Sequence, residues 1–208
     1  MNIYLIRHGE SEHNVDRFRM AHTHDSKHAL TERGRKQANL TGQFMSRQIM
    51  GNAVLYSSPY LRTIETAKAI HAMLPAETPF YENPLLREWE LGNLYDFNGR
   101  TPEAKREFKA AGRFYYRYQN GESAADVYLR SALFMNTVVQ RLVQQQRYEH
   151  LLVVSHAAFI HMYLAFLLNW PVEKMEVYEP VENASVILIQ ETAGEYRHEK
   201  IFAPVAEE

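Results

Sequence analysis

The stretch from residue 3 to residue 14 reads IYLIRHGESEHN, and its character changes after four apolar residues. Ile3 to Ile6 is a short apolar run of the kind that forms a strand covered on both faces of a sheet. Arg7, His8 and Gly9 follow at once. One charge at a strand end is ordinary, but an arginine, a histidine and a glycine together at that point indicate a functional site.

Three further apolar runs have the length of buried strands, and segments with helical spacing separate them. The expected strands are Ala53 to Tyr56, Leu151 to Val154 and Val186 to Ile189. Helices are expected from Thr31 to about Ile49, from Ser58-Pro59 to about Met73, and from Ser123, where Asp126 completes a capping box. The alternation predicts an α/β fold, a three-layer sandwich with a mostly parallel central sheet and helices on both faces.

Residues 83–122 do not follow this alternation, because they are rich in aromatic residues and arginine. A short helix from Thr101-Pro102 to about Ala111 is expected within them. We interpret the segment as an inserted cap over the carboxyl edge of the sheet. The expected organisation is therefore one domain, residues 1–208, that carries this cap.

The composition excludes several classes of function. The net charge of -2 gives no general attraction to nucleic acid or to an anionic membrane, and the absence of cysteine excludes disulfides and thiol catalysis. The longest apolar run, Ala157 to Leu168, is interrupted by His161 and is too short to cross a bilayer, so a buried helix is expected. We expect a cytoplasmic protein with neither nucleic-acid nor membrane partners; its oligomeric state is open, with a dimer possible.

Charged and histidine side chains follow the ends of several predicted strands. In an open α/β sheet, ligands bind outside the carboxyl ends of the strands. Arg7 and His8 follow the first strand, Arg62 lies in the opening turn of the helix after the second, and His156 follows the Leu151 strand. Two guanidinium groups suit phosphate oxygens, and a histidine beside them can attack phosphorus through a neutral ring nitrogen. The pattern predicts a site for a small phosphorylated substrate.

Such a reaction needs a proton donor for the leaving oxygen. The stretch LLREWELG, residues 85–92, offers both Glu88 and Glu90. Spacing alone does not choose between them.

Six blocks in order resemble the histidine phosphatase superfamily, also called phosphoglycerate mutase-like, and they look closest to a broad-range acid phosphatase branch. The blocks read RHGESEHN, LTERGRKQA, SSPYLRTIETA, LLREWELGN, GESAADVYLR and VVSHAAFI. The resemblance implies a phosphatase without a cofactor or metal. It implies that His8 becomes phosphorylated, that Arg7, Arg62 and His156 bind the phosphoryl group, that Glu88 rather than Glu90 donates the proton, and that Asn14 faces the phosphate.

Three alternatives to hydrolysis through phosphohistidine stay open. A phosphoglycerate mutase would return the phosphoryl group to the substrate, but the sequence after Glu88 differs from that of the mutases and favours hydrolysis. A catalytically silent phospho-ligand or protein-binding module could keep the pocket. A zinc hydrolase could use the histidines of the loop at residues 22–28.

Other polar residues lie near these motifs. We interpret the loop at residues 22–28 as a polar border of the substrate mouth and not as a metal site. Whether that loop, Arg113 or Arg117 contacts substrate is open. His13 is expected at the surface.

Overall fold

The computed structural model describes residues 1–92, 101–177 and 180–205. Within these residues one sheet of six strands has the order β3-β2-β4-β1-β5-β6. The strands are β1 Asn2–Arg7, β2 Ala53–Ser57, β3 Phe80–Glu82, β4 His150–Ser155, β5 Val186–Thr192 and β6 Glu195–Phe202. β1, β2, β3 and β4 run parallel, whereas β5 is antiparallel to both β1 and β6. The predicted α/β fold with a mostly parallel sheet is confirmed.

Eight α-helices lie within the described part of the chain. They are α1 Glu12–Val15, α2 Glu32–Gln48, α3 Leu61–His71, α4 Pro102–Tyr115, α5 Ala124–Phe134, α6 Gln140–Gln145, α7 Ala157–Leu167 and α8 Val172–Glu176. A single π-helical turn, Met135–Val139, joins α5 to α6. Two of the predicted helix starts are confirmed, since Thr31 caps α2 and Ser123 with Asp126 forms a capping box on α5.

The predicted start of α3 at Ser58-Pro59 is wrong by about two residues. The helix begins at Leu61, with Tyr60 at its N-cap. The backbone N–H of Ser58 donates to the carbonyl of Val154 at 3.0 Å, so this residue still belongs to the sheet edge. Arg62 nevertheless lies in the first turn of α3, as the sequence predicted.

Alternate residues of β1 contribute to two separate cores. Ile3 and Leu5 pack with residues of α5 and α7, among them Phe134. Tyr4 and Ile6 pack against residues of α2 and α3 on the other face. This is the arrangement expected when a short apolar strand has helices on both sides, because side chains alternate between the faces of a sheet.

The apolar run at residues 157–168 forms the buried helix α7, as predicted. The described segments contain no helix that is both long and apolar enough to span a bilayer.

The cap is described only in part, because residues 93–100 lie outside the described ranges. Helix α4 begins at Pro102 as expected but extends beyond Ala111 to Tyr115, with a non-helical break at Gly112, where φ is +76°. The part of the cap before the gap follows β3 and contains the short 3-10 turn Pro84–Leu86. The limits of the cap and the single-domain organisation stay predictions.

Candidate active site

The two central strands bring two histidines together. Arg7, the last residue of β1, pairs in register with Ser155, the last residue of β4. His8 and His156 are the next residues along the chain, and their ring centroids lie 5.2 Å apart. Both rings are almost fully buried. Parallel pairing of β1 with β4 is therefore what places both histidines at one point of the sheet edge.

The ring of His8 has a defined tautomer. Its Nδ1 lies 2.7 Å from the carbonyl oxygen of Gly9, which can only accept, so Nδ1 carries the proton. Nε2 then holds the lone pair, and it accepts a hydrogen bond from Nε of Arg62 at 3.2 Å. Burial lowers the pKa of His8 well below its ordinary value, and the charges of Arg62 and Arg7 lower it further. His8 is a neutral ring with its Nε2 lone pair beside a guanidinium.

The backbone at Gly9 passes close to the start of α2. A Cβ atom at this position would collide with the backbone oxygen of Gly34. Glycine is therefore required here by the packing of α2 against the β1 end. This contact holds the residues after β1 against the first turn of α2.

The ring of His156 is fixed by Ser58, whose role at the site is not apparent from the sequence. Its Nε2 lies 2.8 Å from Oγ of Ser58, the residue that was interpreted as a helix cap. Nδ1 of His156 is buried and has no hydrogen-bond partner among the described residues. Burial, followed by the charge of Arg62, lowers the pKa of His156 well below its ordinary value. Ser58 therefore sets the orientation of the ring.

Arg62 is fully buried and is held by Asp25. Its Nη1 donates to the backbone carbonyl of Asp25 at 2.5 Å, and its Nη2 donates to Oδ2 of the Asp25 carboxylate at 3.0 Å. The other carboxylate oxygen, Oδ1, is buried without a hydrogen-bond partner in the described part of the chain. The anion that Arg62 binds in this structure is therefore a carboxylate of the protein itself.

Asp25 is a site residue that the sequence did not predict, because residues 22–28 are expected to form a polar border of the substrate mouth. His22 and His24 are indeed exposed, but Asp25 and His28 are buried. An acidic residue in a three-residue 3-10 turn gives no periodicity signal, so its contact with Arg62 had no counterpart in the sequence pattern. Within the described residues, no group of three or more histidine and acidic side chains is arranged to hold a metal ion.

The expectation that His13 lies at the surface is wrong. Its ring is only partly exposed, with its centroid 6.0 Å from that of His8 and 5.5 Å from that of His28. Nδ1 lies 2.8 Å from Oγ of Ser11, and Nε2 lies 3.2 Å from the amide nitrogen of Asn14. Burial lowers the pKa of His13 to about 3, with the charge of Arg62 acting in the same direction. A neutral His13 forms part of the wall of the site.

The side chains of Asn14 and Arg7 connect the β1 end to the segment before β5. Oδ1 of Asn14 accepts from the backbone N–H of Ser11 at 3.1 Å and from the amide of Asn183 at 3.3 Å. Nη1 of Arg7 donates to the carbonyl of Val181 at 2.5 Å. A phosphate contact by Asn14 stays a prediction, since the contacts of its amide in this structure are with the protein.

The two candidate proton donors have different surroundings. Oε1 of Glu88 accepts from the backbone N–H of Trp89 at 2.9 Å. Burial raises the pKa of Glu88, and the charges of Arg62 and Arg7 partly oppose this. Glu90 instead uses Oε1 to accept from the N–H of Gly92 within its own loop, at 2.9 Å. Glu88 is thus under the influence of the charges of Arg62 and Arg7, which favours it over Glu90 as the candidate donor.

Two arginines of the cap have structural partners. The guanidinium of Arg113 lies 5.6 Å from the centre of the Trp89 ring, and Nη2 of Arg117 pairs with Asp126 at 2.6 Å. These contacts give both side chains a role in packing the cap.

Fold and site together define an α/β enzyme with an anion-binding centre at the carboxyl edge of its sheet. A sequence profile of the histidine phosphatase superfamily (branch 1) matches residues 3–203. The chain belongs to this superfamily and, as an enzyme, is a histidine phosphatase of the phosphoric monoester hydrolase class. The predicted family is confirmed.

Individual relatives agree with this assignment. The chain is 33% identical to the phosphoglycerate mutase-like protein AT74H of Arabidopsis thaliana, over 93% of this chain and 75% of that protein. It is 30% identical to the broad-range acid phosphatase DET1 of Saccharomyces cerevisiae, over 52% of this chain and 33% of that protein. YhfR of Bacillus stearothermophilus superposes with a TM-score of 0.72 at 26% identity, over 96% of each chain.

Proposed function

We propose that this protein is a phosphomonoesterase that hydrolyses a small phosphorylated metabolite through a phosphohistidine at His8. The observation that carries the proposal is the hydrogen bond from Nδ1 of His8 to the Gly9 carbonyl. It leaves the Nε2 lone pair next to Arg62, the group best suited to hold the phosphate.

In the first step, Nε2 of His8 attacks phosphorus in line with the departing oxygen. A nitrogen–phosphorus bond forms, the ester oxygen–phosphorus bond breaks, and Glu88 gives its proton to the leaving alcohol. Arg62 must turn from Nε2 of His8 to the phosphate oxygens, where it acts with Arg7 and His156 on the charge of the transition state.

In the second step, water attacks the phosphohistidine. The Glu88 carboxylate formed in the first step takes a proton from this water, the nitrogen–phosphorus bond breaks, and inorganic phosphate and neutral His8 are released. Glu88 is thereby returned to its protonated form. The raised pKa of Glu88 supports both roles, because its proton is held more firmly than that of an exposed carboxyl.

Two further features support hydrolysis and a broad choice of substrate. The acid segment continues from Glu88 as Trp-Glu-Leu, unlike the corresponding segment of the mutases, and this supports hydrolysis. The similarity to a broad-range acid phosphatase supports a permissive set of phosphate monoesters.

The test is the His8→Ala variant. Phosphate release from a panel of phosphorylated metabolites should fall by at least about 10³-fold, because removal of a nucleophile eliminates the covalent route. Brief incubation with labelled substrate should give the native protein, but not the variant, an acid-labile phosphoryl label. His22→Ala is the matched control, since His22 is an exposed histidine of the nearby loop.

The silent-module and mutase alternatives each give a distinct result. Full activity of His8→Ala would refute the mechanism, and a native protein that neither labels nor releases phosphate would indicate a silent binding module. Incubation with 3-phosphoglycerate and a bisphosphoglycerate primer separates the mutase, which would form the isomer without releasing phosphate.

A further inference from the structure

We propose that Arg130 and Glu122 are positioning residues that hold the Glu88 segment in the geometry needed for proton transfer. The inference rests on the proposed role of Glu88 as proton donor. Its starting point is the absence of regular structure around this residue: after the 3-10 turn Pro84–Leu86, residues 87–91 belong to no helix or strand. Something other than backbone pairing with a neighbouring strand must fix them.

Side chains hold four consecutive carbonyl groups of this segment. Arg130 donates from Nη1 to the carbonyls of Leu85 at 2.6 Å and Arg87 at 3.1 Å, and from Nη2 to that of Glu88 at 3.4 Å. Oγ of Ser155 donates to the remaining carbonyl, that of Leu86, at 2.7 Å. One buried guanidinium therefore sets the path of the chain on the N-terminal side of Glu88.

Glu122 holds the segment on the C-terminal side of Glu88. Its backbone N–H donates to the carbonyl of Glu90 at 2.7 Å, and its Oε2 accepts from the N–H of Glu90 at 3.1 Å. Its carbonyl accepts from Nε1 of Trp89 at 2.8 Å. Glu122, which precedes α5, and Arg130, which lies within α5, therefore hold the chain on both sides of Glu88.

Arg130 and Glu122 are also bound to each other. Nε of Arg130 donates to Oε1 of Glu122, and Nη2 donates to Oε2, both at 2.9 Å. Oε1 of Glu122 also accepts from Arg87, which carries the contact back to the acid segment. A two-point pair of this kind fixes the plane of the guanidinium as well as its position. Because Glu122 precedes the capping box of α5 and Arg130 lies within that helix, the helix orients both groups.

The planar fork of arginine is what the arrangement requires. A lysine would supply a single ammonium group, which cannot reach three carbonyls and both carboxylate oxygens at once. Proton transfer depends on hydrogen-bond distance between donor and leaving oxygen, and a displacement of about 1 Å can cost about 10²-fold in rate. Loss of the contacts made by Arg130 and Glu122 should therefore slow the transfer of the proton from Glu88 to the leaving oxygen.

The test compares two substrates on the same Arg130→Lys protein. Glycerol phosphate has a poor leaving group that needs the proton, whereas p-nitrophenyl phosphate leaves readily without it. We expect kcat/KM for glycerol phosphate to fall by about 30-fold or more and that for p-nitrophenyl phosphate by less than about 5-fold. The ratio between substrates does not depend on the fraction of the variant that is folded, so it remains informative if the protein is destabilised.

Three further variants complete the design. Glu88→Gln sets the size of the leaving-group effect when the acid is absent. Ser155→Ala removes one of the four carbonyl contacts and should give a smaller change in the same direction. Arg106→Lys is the matched control, because Arg106 is an exposed arginine of α4 that donates to Glu103; its ratio should match that of the native protein.

The outcomes distinguish a failure of the positioning role from a failure of the proposed role of Glu88. Equal losses on both substrates in Arg130→Lys, with a strong leaving-group effect in Glu88→Gln, would overturn the positioning role alone. No leaving-group effect in Glu88→Gln would overturn the role of Glu88 as proton donor and this inference with it.

Discussion

The two ends of the site are held in place in different ways. At the phosphate end, His8 and His156 follow the paired strands β1 and β4, and Arg62 lies in the first turn of α3. At the other end, Glu88 lies in an irregular segment, and Asp25, which binds Arg62, lies in a 3-10 turn, so the positions of both acids depend on side-chain hydrogen bonds. The difference indicates that the two buried histidines and Arg62 are positioned by strands and a helix, whereas the positions of Asp25 and Glu88 depend on a few side-chain contacts.

The largest effect should come from the phosphate end. In Arg62→Lys we expect kcat/KM to fall by about 10²- to 10³-fold, because lysine keeps the charge but loses the planar fork that faces His8 and that binds the phosphate oxygens in the proposed mechanism. Steady-state kinetics on p-nitrophenyl phosphate measure this. Arg47→Lys, an exposed position near the end of α2, is the control. Activity within a few-fold of the native value would mean that Arg62 serves mainly as the partner of Asp25.

A smaller effect of opposite sign is expected at Asp25. In Asp25→Asn the negative charge at Nη2 of Arg62 is removed while an oxygen acceptor and the backbone carbonyl remain. Inorganic phosphate should then inhibit about 10-fold more strongly, because it no longer competes with a carboxylate for the guanidinium. The inhibition constant is the measurement, since it does not depend on the amount of folded enzyme.

Asp16→Asn is the matched control for this prediction, because Asp16 is an exposed acid that caps the preceding 3-10 turn by accepting from the N–H of Phe18. A higher inhibition constant in Asp25→Asn would show instead that the carboxylate orients Arg62 for phosphate. In that case Asp25 would contribute, together with Arg62, to phosphate binding.

The same contrast explains which site residues could be predicted from the sequence. Arg7, His8 and His156 could be located because short apolar strands have a recognisable pattern and parallel strands end at one edge. The edge strands β3 and β6 were missed, since β3 has three residues and β6 is largely exposed and mainly polar, with neither an apolar run nor an alternating pattern. The missed strands do not affect the prediction of these three residues, because Arg7, His8 and His156 lie at or just after the ends of the central strands β1 and β4.

Contacts between side chains of distant loops have no such pattern. The bond from Arg62 to Asp25 spans 37 positions of the chain, and that from Arg130 to the Leu85 carbonyl spans 45. Nothing in local spacing predicts either one. The incorrect surface assignment of His13 has the same cause, because its burial comes from His8 and His28 lying nearby in space.

The smallest effect we predict concerns His13 and acid stability. Its folded-state pKa of about 3 lies below the ordinary value of 6.5, so the unfolded chain binds this proton first and stability is lost progressively as the pH falls from about 6.5 to about 3. Between about pH 7.5 and pH 6.0, this single group should lower the free energy of unfolding by about 0.8 kcal/mol. The neutral form fits its surroundings, because Nε2 accepts from the amide of Asn14 and would have to donate if it were protonated.

The His13→Gln variant tests this through urea unfolding at both pH values. It should be less stable than the native protein at pH 7.5, since two hydrogen bonds of the ring are lost, yet its stability should fall less between the two pH values. The exposed His22→Gln should keep the native pH dependence. An unchanged slope in His13→Gln would mean that His13 titrates normally, and the wall of the site beside His8 would then be open to solvent.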